Sequence, residues 1–223
     1  MYDLDQTIRE RRSVRGFLPT PVPRETLEEV LRLAQQAPSN CNVQPWRVYV
    51  ASGEVVRTLR AALVEAVTTG ASPVMVTPVD EFVGGYRDRQ VACAVELYGK
   101  MSIARDDRVG RLKASLRNFE FFDAPHVAYV CMAKSFGIGV ALDVGMYVQT
   151  LMLAMQSRGI ATCAQAALRS FPELAAEHLG IPDDEQILCG LSFGYEDATV
   201  PANKTRQPRD PISGNVFFRG DAD

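Results

Sequence analysis

Three separated stretches of this chain gather side chains suited to holding a charged small molecule. The first is Arg11-Arg12-Ser13-Val14-Arg15, a run of guanidiniums around one hydroxyl. Guanidiniums stay charged at any working pH and present a planar fork of donors, which matches phosphate and carboxylate oxygens. The second is Pro38-Ser39-Asn40-Cys41-Asn42-Val43-Gln44-Pro45-Trp46. Its amides and hydroxyl place many donors and acceptors in a few residues, and a proline on each side stiffens the loop. The third is Asn203-Lys204-Thr205-Arg206, a basic pair in an otherwise acidic C-terminal half. Each has an ordinary reading on its own: a solvated basic surface, a turn rich in local hydrogen bonds, and a solvated tail. Together they suit one anionic cofactor served by three parts of the chain.

Other chemistries lack raw material. The only histidines are His126 and His178, too few for a histidine-based metal site. The cysteines Cys41, Cys93, Cys131, Cys163 and Cys189 are scattered, odd in number and never spaced C-x-x-C, which argues against a disulfide framework or zinc cluster. Cys131 and Cys189 lie in apolar runs and read as inert, whereas Cys41 sits in a polar loop and is a candidate reactive thiol. No G-x-G-x-x-G follows a strand and no G-x-x-x-x-G-K-[ST] occurs, so Rossmann and P-loop nucleotide sites have no support.

The elements that must position these residues are legible from periodicity. Leu4 and Ile8 mark a short helix over about 3–11. Leu27, Val30, Leu31 and Ala34 recur at helical spacing and predict a helix from about Arg24 to Ala37, stopped by Pro38. Residues 46–51 alternate as a strand, and a helix covers about 54–69. The segment 70–85 mixes proline, glycine and apolar residues and reads as an excursion, followed by a charged helical pair over 86–117. The whole of 70–117 is a candidate lid or insertion on a single domain spanning 1–223. Residues 126–133 read as a buried strand, 139–157 as a helix apolar nearly all round, and 160–164 and 186–193 as further strands. The tail 198–218 is rich in proline and basic residues yet ends in Val216-Phe217-Phe218, which calls for a surface to pack on. Helices and strands alternate without a strict βαβ rhythm, so the fold class is α+β.

Composition sets the outer bounds. The 223 residues carry a net charge of −3, with 47% hydrophobic and 23% charged residues. That balance gives no general attraction to nucleic acid or anionic membrane, so any basic site is local. No apolar run approaches the roughly 18–20 residues a membrane span needs, and the N-terminus has no signal-peptide core, which makes the expectation a cytoplasmic protein.

The pairing of Arg11-Arg12-Ser13-x-Arg15 with Pro-Ser-x-x-Asn-x-Gln-Pro-Trp resembles the FMN-dependent nitroreductases. The likeness continues through Phe122-Asp123-Ala124-Pro125-His126-Val127, through Gln149-Thr150 to Gly159, and through Gly190 to Gly194. Asn118-Phe119-x-Phe121-Phe122-Asp123-Ala124-Pro125 and the long 70–117 segment are closest to bacterial nitrobenzoate and nitroaromatic reductases. The resemblance implies a central, mostly antiparallel sheet flanked by helices, in an intertwined homodimer whose C-terminal extension wraps the partner. It implies FMN at the subunit interface, with Arg11, Lys204 and Arg206 on the phosphate and Ser13 at the ribityl–phosphate end. Arg15 falls near the flavin N1/O2 edge, and Arg12 belongs to the same cluster. Pro38, Ser39, Asn40, Asn42 and Gln44 belong to the loop given by the second subunit. Gln165 and Ala166 lie where a backbone N–H, that of Ala166, meets flavin N5, although many relatives carry an acidic residue and a glycine there. Arg117 and Asn118 are alternatives for the pyrimidine edge. The implied reaction is ping-pong: NADH or NADPH reduces FMN and leaves, then a nitroaromatic, quinone or similar flat oxidant takes the electrons. Relatives that keep FMN but dehalogenate, destroy flavin or dehydrogenate a ring define a second reading. A non-enzymatic flavin-binding module or nucleotide-binding regulator is a third.

Overall fold

The computed structural model of the chain describes residues 3–74 and 82–220. Strands β1 (Arg47–Ser52), β2 (His126–Ala133), β3 (Ala161–Gln165) and β4 (Glu185–Gly194) form an antiparallel sheet in the order β1-β2-β4-β3. Around it lie α1 (Leu4–Glu10), α2 (Arg24–Ala34), α3 (Glu54–Thr68), α4 (Gly85–Lys100), α5 (Arg108–Leu116), α6 (Ile138–Gln156) and α7 (Pro172–Leu179). The α+β expectation holds, and every pairing among these four strands is antiparallel.

β2 shows how the sheet comes to be sandwiched. Successive strand residues point to opposite faces. Val127, Tyr129 and Cys131 enter one core layer with Leu59 and Leu63 of α3 and Ala175 of α7. Ala128, Val130 and Met132 enter the other with Val30 and Ala34 of α2 and Tyr147, Leu151 and Met155 of α6. A strand covered on both faces needs an unbroken apolar run, and this one has it. His126, at its start, accepts a hydrogen bond from Val22 N–H at Nε2 (2.9 Å), while Nδ1 faces Ser52 Oγ at 2.5 Å. The ring is therefore neutral with its proton on Nδ1, and burial holds its pKa below the ordinary value.

α2 ends at Ala34, before the expected Ala37. Its last residues tighten instead, with Gln36 N–H donating to Leu33 O and Ala37 N–H to Ala34 O. Pro38 disfavours helical geometry in the residue before it, which accounts for the change. α7 was not anticipated, although Pro172 in its first turn and Gly180 at φ 66 are ordinary start and stop signals. α4 and α5 match the expected charged pair and bury no residue completely. Part of the expected excursion, residues 75–81, lies outside the described residues.

α6 corrects the reading that no apolar run is long enough to span a membrane. With 19 residues and a mean hydropathy of 1.6, it is long and apolar enough by length and composition. It packs against α2, β2 and β3 through a face that includes Val144, Tyr147, Leu151 and Met155. Ile138, Leu142, Gly145 and Gln149, spaced i, i+4, i+7 and i+11, form an exposed stripe on the other side.

Candidate functional site

The site is built where the two ends of the chain meet. α1 begins with Asp3 accepting from Gln6 N–H at 2.7 Å and ends at Glu10. The chain then runs extended along the free edge of β3, where Val14 N–H donates to Thr162 O at 2.9 Å. Val14 turns into the core, so the alternation leaves Ser13 exposed and Arg15 half-buried. The C-terminal segment returns over this stretch and is fastened by Asn203. Its Oδ1 accepts from Arg15 N–H at 2.6 Å, and its Nδ2 donates to Gly16 O at 2.9 Å and Asp197 O at 2.8 Å. Gly16 must be glycine for this contact: a Cβ there would lie 2.5 Å from Val200 Cγ2.

A cavity of about 920 Å³ opens beside this junction. Its wall carries Arg9, Arg11, Arg12, Arg15, Arg206 and Arg209 against only Glu10 and Glu196, an excess of positive charge in a chain that is acidic overall. Arg12 is partly neutralised, since its Nη2 lies 2.6 and 2.5 Å from the two oxygens of Glu196. Arg206 Nη1 donates to Asn203 O and Thr205 O, which fixes the side chain on the wall. The pKa of Arg11 is lowered, first by burial and then by the like charge of Arg209. Two cations sharing a half-buried space call for an anion between them. Thr205 Oγ1, in the same wall, is buried without a hydrogen-bond partner.

Five of the residues singled out from sequence line this cavity together: Arg11, Arg12, Ser13, Arg15 and Arg206. Lys204 does not line it. The 3-10 turn Pro201–Lys204 buries Ala202 and Asn203 and leaves Lys204 exposed. Arg209, which sequence reasoning missed, takes the position beside Arg11, and Asn203, singled out only as part of the basic stretch, is the fastener. Nothing in the sequence distinguishes Arg209 from its basic neighbours, and the signal for Asn203 was only its adjacency to the basic pair.

The loop from Pro38 to Gln44 lies outside this cavity in its own chain but is firmly held. Asn40 N–H donates to the buried Asp143 carboxylate of α6 at 3.0 Å, and Ser39 Oγ accepts from Gln44 N–H at 2.9 Å. Trp46 stacks on Tyr147 of α6 at 4.8 Å. Cys41, Asn42 and Gln44 have φ of 48, 55 and 50, so the loop stores backbone strain while presenting its side chains outward.

A second cavity of about 390 Å³ adjoins Arg15, which lines both. Arg117 and Asn118 line it with Leu97 and Tyr98 of α4, Met101 just after that helix, and Phe122. Phe119 and Phe121 are core residues. Arg117 is already engaged, 2.5 Å from Glu120 and 2.5 Å from Asp123. Burial lowers its pKa, but the bonds and charges of Asp123 and Glu120 outweigh that and leave it raised. Asn118 Nδ2 donates to Ser115 O at 3.0 Å.

Gln165 closes β3 and is buried. Its Nε2 donates to Asn118 O at 2.9 Å and lies 3.3 Å from Asn118 Oδ1, while its Oε1 accepts from the Ser192 hydroxyl. Ala166 opens a 3-10 turn to Arg169 and is exposed, as is Ala164, so the outward face of β3 there carries only methyl groups. Burial pushes the thiol of Cys163 up to about 11 despite the charge of Arg15 and a hydrogen bond from Ser13, so it is no thiolate at neutral pH. Cys131 and Cys189 are pushed up to about 12 and about 11 by burial, in keeping with inert thiols.

Residues 8–195 match the model of the Nitroreductase family. The chain is 36% identical over 218 residues to 4-nitrobenzoate reductase of Pseudomonas putida, covering 98% of this chain and 96% of that protein. A 4-nitrobenzoate reductase of Nocardioides sp. (strain LMS-CY) is 37% identical over 224 residues, covering 98% and 91%. The crystal structure of the FMN-dependent nitroreductase NfnB from Mycobacterium smegmatis, in complex with NADPH, superposes with a TM-score of 0.93 at 37% identity, covering 97% of each chain. Sheet order, the arginine-lined junction of the chain ends and these full-length likenesses agree: the chain belongs to the nitroreductase family.

Proposed function

We propose that this protein is a cytoplasmic, NAD(P)H-dependent FMN oxidoreductase that reduces nitroaromatic compounds and, by the same chemistry, quinones and other flat electron-poor oxidants. The observation that carries this reading is the cavity wall in which Arg11 and Arg209 face one half-buried space next to an unpartnered buried hydroxyl, Thr205 Oγ1. A phosphate monoester with nearly two negative charges fits that donor set. Support comes from the relatives named above, which are nitrobenzoate reductases and an FMN-dependent nitroreductase.

Bound FMN supplies the hydride and electron transfer, which is the cofactor's own chemistry. Arg11, Arg206 and Arg209 hold its phosphate, with Ser13 and Thr205 giving hydroxyls. Glu196 holds Arg12 in place at the rim. Arg15 brings a charge to the boundary of the two cavities, where it favours an anionic reduced ring. The methyl face of Ala164 and Ala166 gives a flat ring an unobstructed floor, and Ala166 offers its backbone N–H. A single space serving donor and oxidant in turn gives ping-pong kinetics, and the segment 70–117 acts as its lid within one domain.

The exposed stripe of α6 runs toward Gln149 and Gln156, which line the large cavity. A second copy seated on that stripe closes the cavity and supplies the Pro38–Gln44 loop to it. The exposed Val216, Phe217 and Phe218 then wrap the partner.

The deciding experiment is purification followed by anaerobic mixing. A yellow protein whose flavin bleaches with NADPH or NADH, and recovers colour with nitrobenzoate, nitrobenzene or a quinone, is the expected result. Parallel double-reciprocal lines check the ping-pong order. A colourless protein that takes up no FMN sinks the reading.

A further inference from the structure

One buried amide links the two places where a flat ring would be gripped. The turn that carries Arg117 and Asn118 and the corner where β3 gives way to Ala166 belong to different parts of the chain. Gln165 joins them, donating to Asn118 O at 2.9 Å and accepting from Ser192 on β4. The turn is strained, with Phe121, Phe122 and Asp123 at φ 55, 54 and 67. It is held from outside by the Arg117 bonds to Glu120 and Asp123, and from inside by Gln165. The corner is also tightly fitted, because Gly190 leaves room for Leu168 where a Cβ would lie 2.2 Å from Leu168 Cδ1.

The direction of the bonds requires a side chain that both donates and accepts. Position 165 must donate toward Asn118, which presents both its carbonyl and its Oδ1, and accept from Ser192. A carboxylate only accepts and would face two oxygens. We propose that Gln165 is a positioning residue: by bridging Asn118 and Ser192 it sets the spacing between the Asn118 turn and the Ala166 N–H. This rests on the FMN reading above for its consequence in catalysis, but the lock itself is a property of the chain.

The test compares wild type with Gln165→Met and Gln165→Glu. Methionine keeps the length and loses both bonds. A protonated glutamic acid can donate to Asn118 and accept from Ser192, whereas its ionised form cannot donate. Burial raises such a carboxyl, so its ionisation falls in the neutral range or above. Amide hydrogen exchange of residues 118–122 and 166–169, read without added flavin, should be at least tenfold faster in Gln165→Met. In Gln165→Glu it should match wild type at low pH and match Gln165→Met at high pH, after correction for intrinsic exchange. With FMN bound, Gln165→Met should keep phosphate-driven affinity within a few fold yet reduce at least tenfold more slowly with NADPH. It should also show a shifted visible flavin spectrum, with Gln165→Glu again switching with pH.

Ionisable groups on the surrounding elements are Cys163, Arg169, Glu185, Cys189, Arg117, Glu120, Asp123 and Arg15; all three proteins share them, so they cancel in the comparison. Wild-type exchange and reduction in Gln165→Met, or coincident pH profiles for the two variants, would overturn the proposal. If Gln165→Met fails to fold, Gln165→Glu at the two pH extremes still decides it. Altered exchange in a protein that never binds FMN keeps the lock and removes the flavin reading, so the two failures are told apart.

Discussion

At the scale of single residues the site is an argument about charge. Burial and then the like charge of Arg209 depress Arg11, and a bound anion relieves that. Arg11→Ala and Arg209→Ala should each remove one charge-assisted contact to phosphate, a loss of about 1.5–3 kcal/mol. That is roughly a ten- to hundredfold rise in the FMN dissociation constant, read by fluorescence titration. Lys204→Ala is the control, since Lys204 lies off the cavity wall, and its affinity should stay within a factor of about two to three, under 1 kcal/mol. Equal losses in all three would mean general electrostatics and not a clamp. Arg15 differs because its charge is argued to act on the ring. Arg15→Gln should lower the FMN midpoint potential by tens of millivolts, given about 30 mV per 1.4 kcal/mol for a two-electron couple, with a smaller loss of oxidised-FMN affinity. An unchanged potential would remove Arg15 from the ring edge and leave it as a binding residue.

At the scale of elements, the close fit of β4 against the 3-10 turn makes a sharp prediction. Gly190→Ala places a Cβ 2.8 Å from Leu168 Cβ and closer still to Cδ1, and overpacking of this kind costs about 1–3 kcal/mol. The variant should melt lower, and adding Leu168→Ala should give a smaller loss than the two single effects summed. Strict additivity would show that the turn already moves freely. This corner also marks where the sequence stopped being readable. The strands and α1, α2, α3 and α6 were legible because each carries its own apolar pattern, whereas α4 and α5 were legible only as one charged pair. β2 was visible as an apolar run, and α6 as an apolar helix. The fastening by Asn203, the choice of Arg209 over Lys204 and the bridge by Gln165 were not legible, because each depends on which distant backbone group arrives nearby. The left-handed residues Phe121, Phe122 and Asp123 also gave no sign, since none is glycine and side-chain contacts within the fold hold them there. The family motifs supplied the basic cluster and the loop, and the fold then separated them into a shared cavity wall and an outward-facing loop.

At the scale of the whole molecule, the exposed stripe of α6 and the aromatic tail predict a homodimer of large interface, above about 2,000 Å². Sedimentation should find dimer down to nanomolar concentration, and a stable folded monomer there would contradict it. Stability should also depend on pH through His126. Its folded pKa lies below the ordinary 6.5, so the unfolded chain binds the proton more readily. The stabilising contribution is complete above about 6.5 and is lost as pH falls through the depressed folded value. Wild-type Tm should therefore drop more between about pH 7 and pH 5 than that of His126→Gln, which keeps an acceptor without a titrating ring. Parallel melting curves would assign the acid sensitivity to other groups. Finally, the charged side chains of the cavity wall come from residues 8–15 and 196–209, with Asn203 tying the two stretches together. A chain still being synthesised has the first stretch well before the second leaves the ribosome. The basic pocket therefore cannot exist on the ribosome in partial form. Acquisition of its anionic ligand must therefore wait for residues 196–209, and prematurely terminated products lacking residue 203 should emerge without it.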